Sequence, residues 1–197
     1  MMTIFFTSLN NKFVGHLGGA VAAAYHVREN LAVELTSSIP YGIFAFYSAL
    51  VFEVYDYESL TPEAVDLKQM SYFGSLNLQY SALYGKFELY DVLIDYDFFA
   101  TSGLGLVSTL ETCMPDRDGC GPDTGIGRGL RTPEATSDQL KLSGNFGGGM
   151  RFFFRDWVGL RVEIRDVVYA DRATEAGATT TDIRNNVLLL LGLTLLI

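Results

Sequence analysis

The chain has 197 residues, with 14 basic against 23 acidic side chains and a formal net charge of −9. That acidic balance argues against a nucleic-acid partner, because phosphate binding needs a cationic face. Hydrophobic residues make up 49% of the chain, yet no apolar run reaches the ~18–20 residues of a membrane helix. High apolarity without such a run fits a membrane β-barrel, the other structure that satisfies its backbone in lipid.

Period-2 alternation marks strands with two opposite faces. In chain order we expect eight: Ile4–Leu9, Phe13–Val27, Leu31–Ser37, Tyr72–Ser81, Ile94–Ser108, Lys141–Phe154, Trp157–Tyr169 and Ile183–Ile197. The clearest is Trp157–Tyr169, where Val158, Leu160, Val162, Ile164 and Val168 share one edge, broken only by Asp166. Gly159, Arg161, Glu163 and Arg165 share the other. In Phe13–Val27 the even positions from His16 to His26 are mostly small. In Leu142–Phe154 the odd positions Ser143, Asn145, Gly147, Gly149 and Arg151 combine tiny and polar groups. A surface facing water has no need of glycine beside its charges. A narrow lumen filled by side chains does. The small, polar face is therefore placed inside and the oily face in lipid. Aromatic residues near strand ends, such as Tyr25, Tyr80, Tyr96, Phe98, Phe154 and Trp157, match interfacial girdles.

The expected architecture is a single-domain, all-β, eight-stranded antiparallel up-and-down transmembrane barrel over residues 1–197. Arg28-Glu29-Asn30 and Arg155-Asp156 read as tight periplasmic turns, and Ala82–Leu93 as a modest one. Pro40–Met70, Leu110–Leu140 and Ala170–Asp182 read as long outer loops, and Asn10-Asn11 as the short outer hairpin. Fewer residues precede Asn10 than the ~9–11 that a spanning strand uses. Met1–Thr7 also lacks the basic and apolar regions of a secretory signal. This points to a late start, in an expressed fragment or at a misplaced initiation site, that omits a signal and part of the first strand. A soluble protein needing no signal is the alternative.

The last strand ends Leu-Leu-Gly-Leu-Thr-Leu-Leu-Ile. Gly192, Leu195 and Ile197 resemble the C-terminal signal read by barrel-assembly machinery, with Ile197 in place of the usual aromatic. Further stretches resemble the outer-membrane β-barrel domain family of myxobacteria and related deltaproteobacteria, which includes barrels of the gliding-motility envelope apparatus. They are AYHVREN at Ala24–Asn30, VDLKQMSYFGSLNLQYSALYGKFEL at Val65–Leu89, IDYDFFATSGLGLV at Ile94–Val107, FFFRDWVGLRVEIRDVVY at Phe152–Tyr169 and NNVLLLLGLTLLI at Asn185–Ile197. The resemblance implies a barrel in the outer membrane of a Gram-negative bacterium, and it carries no catalytic motif.

Candidate chemistry is sparse. Glu34, Asn77, Gln79, Asp97, Asn145, Arg151, Arg161, Glu163, Arg165 and Asn186 form the expected polar lumen set, and buried charges of this kind pair across strands. The plain reading is a salt-bridged plug; an ion path is the functional one. Cys113 and Cys120 in an outer loop suit a loop-closing disulfide in an oxidising compartment. Asp116, Asp118 and Asp123 echo a calcium loop but lack the full spacing and closing Glu. His16, near the outer rim, and His26 are the only histidines, and no second member of a triad is identifiable. Tyr41–Tyr55 is apolar nearly all round and is read as a surface helix, a plug, a partner surface or two further strands.

No cofactor is expected. Expected partners are outer-membrane lipid, barrel-assembly machinery, and envelope or motility complex proteins. The functional reading is a non-enzymatic anchor or scaffold, then a narrow ion or solute channel, then a lipid-modifying enzyme.

Overall fold

The structure is a computed structural model that describes residues 1–10, 14–47, 68–89, 92–113, 134–155, 157–175 and 178–196. Among these, eight antiparallel strands close on themselves in sequence order. They are β1 (Met2–Ser8), β2 (Val14–Arg28), β3 (Leu31–Tyr47), β4 (Lys68–Leu89), β5 (Val92–Cys113), β6 (Glu134–Arg155), β7 (Val158–Glu175) and β8 (Ala178–Leu195). Short β1 closes the ring: Ile4 stands opposite both Ala20 of β2 and Gly192 of β8.

Orientation follows from side-chain exposure. Leu142, Leu104 and Phe146 are 80%, 76% and 57% exposed, while Arg161 and Arg165 are both 0% exposed. No water-soluble chain gains by hiding its arginines and displaying its leucines; in a hydrocarbon solvent the preference reverses. The chain is thus an eight-stranded up-and-down transmembrane barrel with a polar-lined interior. Tyr25, Tyr80, Phe98, Phe154 and Trp157 all face outward near the rim formed by the short turns.

Two of those turns are tight. Arg28 pairs with Leu31 around Glu29-Asn30, and Arg155 pairs with Val158. The other connections are shorter than expected, because strands continue through them. Ala82–Leu93 is mostly ladder: β4 and β5 pair down to Leu89 and Val92. Glu111 pairs with Ser137 within the expected Leu110–Leu140 loop. Ala170 to Glu175 pairs with Ile183 to Ala178, where another loop was expected. Pro40–Tyr47 extends β3, so Tyr41–Tyr47 is neither helix nor a separate strand, and Ser48–Tyr55 lies outside the described residues. Beyond the bilayer both faces of a strand meet water, so hydrophobic alternation fades although the ladder continues. That is why the extensions of the β4–β5, β5–β6 and β7–β8 ladders escape a reading by period.

The strands are consequently unequal: β4, β5 and β6 each have 22 residues and β1 has 7. At roughly 3.3 Å per residue, the long ones exceed what the hydrocarbon needs even when steeply tilted.

Candidate functional site

The lumen holds the chain's buried chemistry. β7 places Arg161, Glu163 and Arg165 at alternate positions, so all three point inward. Glu34 reaches them from β3 on another part of the wall. Arg161 Nε and Nη2 donate to Glu163 Oε2 at 2.9 and 2.6 Å, and Arg165 Nε donates to Glu163 Oε1 at 2.8 Å. Arg165 Nη2 donates to Glu34 Oε1 at 2.8 Å, and Arg161 Nη1 donates to Glu34 Oε2. Thr36 Oγ1 donates to Glu34 Oε1 at 2.9 Å and accepts from Arg165 Nη1 at 3.3 Å. The Arg161 guanidinium also lies over the Phe99 ring, 4.5 Å from its centroid. Two cations and two anions cancel, and each carboxylate bridges both arginines. This is the condition under which buried charge is tolerable.

Glycine makes the site buildable. Gly147 and Gly149 of β6 lie opposite Arg165 and Glu163. A Cβ on Gly149 would fall 2.2 Å from the Val162 carbonyl oxygen, and one on Gly147 would fall 2.5 Å from that of Ile164. The β6 and β7 backbones approach too closely for any side chain at either position.

A second ionic group lies on β5 and β6. Arg151 Nε donates to Asp97 Oδ1 at 2.9 Å, and Nη2 donates to Ser81 Oγ at 2.9 Å and to Asp97 Oδ2. Ser81 Oγ donates to Asp97 Oδ2 at 3.0 Å. A third group, which the sequence reading missed, sits toward the opposite rim. There Asp171 pairs with Lys141 and, at 3.2 Å, with Arg184 Nε, while Lys141 lies 5.8 Å from the Tyr169 ring centroid. Its signal was present: Asp171 continues the inward row 161, 163, 165, 167, 169. Treating Ala170–Asp182 as loop cut that row short.

All ten expected lumen residues are buried and inward. Glu34, Arg161, Glu163 and Arg165 form one cluster and Asp97 and Arg151 another. Asn77 Nδ2 reaches Glu34 Oε1 at 3.5 Å and Ser75 Oγ at 3.0 Å, and Asn186 Nδ2 donates to the Tyr169 hydroxyl at 3.4 Å. The Gln79 and Asn145 amides have no hydrogen-bond partner among the described residues.

The interior is not uniformly polar, however. Met2, Ile4, Phe6, Ala20, Ala22, Met70, Phe73, Val107, Val167, Tyr169, Leu188 and Leu190 form an apolar cluster inside the barrel. Phe6 and Phe73 meet edge to face at 5.1 Å.

His16 is buried, its Nε2 accepting the Met70 N–H at 2.9 Å, whereas His26 is exposed. Gly192 is buried opposite Arg161, and Leu195 faces outward. Cys113 ends β5. Cys120, Asp116, Asp118, Asp123 and Ile197 lie outside the described residues, and with them the expected disulfide and calcium loop.

No protein-family model and no curated protein matches the chain. Among solved structures, the N-terminal β-barrel domain of Pseudomonas aeruginosa OprF aligns with a TM-score of 0.42 at 12% identity, over 98% of this chain and 94% of that one. Ail, the attachment invasion locus protein of Yersinia pestis, aligns with a TM-score of 0.37 at 10% identity, over 98% and 95%. Likeness at that level says nothing of what this chain does.

Proposed function

We propose that this chain is a non-enzymatic barrel of a Gram-negative outer membrane that anchors or scaffolds an envelope complex. The observation that carries the reading is the closed lumen. Paired charges span it from β3 to β7, and an apolar cluster packs beside them. An interior filled by side chains leaves no bore of porin size. Function is then displaced to the surfaces that project beyond the bilayer, where β4, β5 and β6 outrun their neighbours. Partners would be envelope proteins, and insertion would depend on the barrel-assembly machinery reading the β8 end. Membrane fractionation with a heat-modifiable gel shift, followed by affinity capture from solubilised envelopes, tests the address and the scaffold role together. Recovery of the folded chain with stoichiometric envelope proteins is expected; recovery from the soluble fraction overturns the reading.

A narrow channel is the second reading. It is favoured by the line of buried amide and hydroxyl groups on β4, β5 and β6, namely Gln79, Thr101 and Asn145, which bond no protein group among the described residues. Such groups are where ordered water sits. Planar-bilayer recording separates the two: the scaffold reading expects no sustained conductance, and a stable open channel would replace it with the second.

A further inference from the structure

Among the described residues two seams lose their ladder before both strands end, β6–β7 at Ser143–Tyr169 and β3–β4. β3 and β4 pair from Leu31–Tyr80 to Ser37–Gly74, and the ladder then stops. Among the described residues, β3 then continues against β2 alone, and β4 against β5 alone. The cause is local. Between Ser38 and Ile43, β3 places the four residues Ile39-Pro40-Tyr41-Gly42 against the single Gly19 of β2. Pro40 has no N–H to offer a neighbour, and a bulge of this size turns a strand away from its partner. On β4 a second irregularity falls between Met70 and Tyr72.

Side chains take over where the ladder ends. The Phe73 N–H donates to Ser38 Oγ at 3.0 Å. The Met70 N–H donates to Nε2 of His16, a residue of β2, at 2.9 Å, so this bond passes behind β3 on the lumen side. The hydroxyls of Ser37 and Tyr72 meet at 3.0 Å. These are three side-chain contacts in place of a backbone ladder.

What lies on either side of the split is apolar. Outside, Ile39, Phe44 and Phe46 of β3 are exposed toward lipid. Inside, Met70 and Phe73 of β4 belong to the apolar cluster with Phe6 and Val107, and Ile43 packs against it. The ionic cluster of Glu34, Arg161, Glu163 and Arg165 is held by its own mutual bonds and offers nothing to a hydrocarbon.

We propose that the upper β3–β4 seam is a lateral port, latched by His16 and Ser38, that admits an acyl chain from the surrounding membrane to the apolar cluster. When the latch yields, the Met70 and Phe73 N–H groups become donors at the mouth of the port, and a carboxylate or ester carbonyl oxygen at the head of the chain replaces the side-chain acceptors. The ligand class is thus an acyl chain headed by a carbonyl or carboxylate oxygen, supplied by an esterified lipid or a free fatty acid. The proposal does not depend on the scaffold reading.

The test uses the full chain refolded into phosphatidylcholine vesicles, with Trp157→Phe to remove the native indole. A reporter is placed behind the split (Phe73→Trp) or behind the continuous β7–β8–β1 wall (Leu188→Trp). Each is read for quenching by vesicles whose lipids carry bromine on the acyl chains, and by bromostearate added to unbrominated vesicles. Quenching of Phe73→Trp several-fold above Leu188→Trp is expected. Brominated lipid as the effective quencher identifies esterified lipid as the source, and bromostearate alone identifies the free acid. His16→Ala, with Ser38→Ala as the second latch variant, is expected to raise the Phe73→Trp quenching further, the folded barrel being verified in each case by its gel shift. Equal quenching of the two reporters under both probes overturns the port. Quenching unmoved in both latch variants overturns the latch, and with it the proposal as stated.

Discussion

Glu34 on β3 and Phe73 on β4 line the same lumen, yet their surroundings have little in common. Glu34 is held by Arg161, Arg165 and Thr36, every bond directional and charge-assisted. Phe73 is held by Phe6 and its apolar neighbours, by shape alone. The ionic region costs desolvation and recovers it only as a complete set. The apolar region gains with each group buried and loses in proportion to each group removed. The difference teaches where the barrel is brittle. A single change should wreck the first region, while the second degrades by degrees.

The strongest test removes one carboxylate. Glu34→Leu leaves two buried guanidinium groups sharing Glu163 alone. Breaking a buried pair from one side costs about 3–5 kcal/mol, read as a lower urea midpoint for the refolded barrel by Trp157 fluorescence. Replacing all four together, Glu34→Leu, Glu163→Leu, Arg161→Met and Arg165→Met, is expected to cost less than Glu34→Leu alone. A four-residue variant weaker than the single one would show that the cluster adds stability beyond mutual cancellation.

The apolar region should answer differently. Phe73→Ala is expected to cost about 3–5 kcal/mol and Leu188→Ala about 2–5 kcal/mol, each in keeping with the volume removed. In a double-mutant cycle Phe6 and Phe73 should couple by only about 0.5–1.5 kcal/mol, the worth of an edge-to-face pair. A coupling as large as that within the ionic cluster would erase the contrast.

How much of this was legible follows from what alternation can report. Arg161, Glu163 and Arg165 announce an inward face because charge and hydrocarbon strictly alternate along β7, and Glu34 was placed by the parity of β3. The inward row of β8, by contrast, carries Leu188 and Leu190 between Asn186 and Gly192 while its outward row is also leucine. An apolar residue on both faces hides which leucines fill the lumen. Phe6 and Phe73 were hidden likewise, since an aromatic residue suits lipid and lumen equally. The β3–β4 split left only Pro40 as a mark, and one proline in an apolar run reads first as a loop. Asp171 was lost where alternation fades beyond the bilayer.

The exterior sharpens the comparison from the other side. Ile164 lies between Glu163 and Arg165 in sequence but points to lipid, 52% exposed. Ile164→Arg is expected to cost about 2–4 kcal/mol if the position lies near the bilayer midplane, with less toward an interface. Adding an arginine one residue away from Arg165, which the lumen accommodates, should therefore destabilise the barrel. A neutral result, measured by the same urea titration, would mean that this wall faces water.

The smallest effect is expected where an ion pair lies outside the lumen. Asp95 and Asp97 are two residues apart on β5, and each meets a cation. Asp97 is buried against Arg151, whereas Asp95 accepts from Tyr84 at 3.1 Å and pairs with a half-exposed Lys86 at 3.0 Å. That second pair lies on the part of the β4–β5 hairpin that continues past the end of β3. Water and salt screen it, and exposed pairs of this type contribute little. Asp97→Asn removes the countercharge from a buried guanidinium and is expected to cost about 1.5–3 kcal/mol, the range for hydrogen bonds to charged groups. Asp95→Asn should leave the urea midpoint unmoved at any salt concentration. A loss at Asp95 matching that at Asp97 would mean that the projecting hairpin is enclosed by further protein, and the division between lumen and exterior would have to be redrawn below the rim.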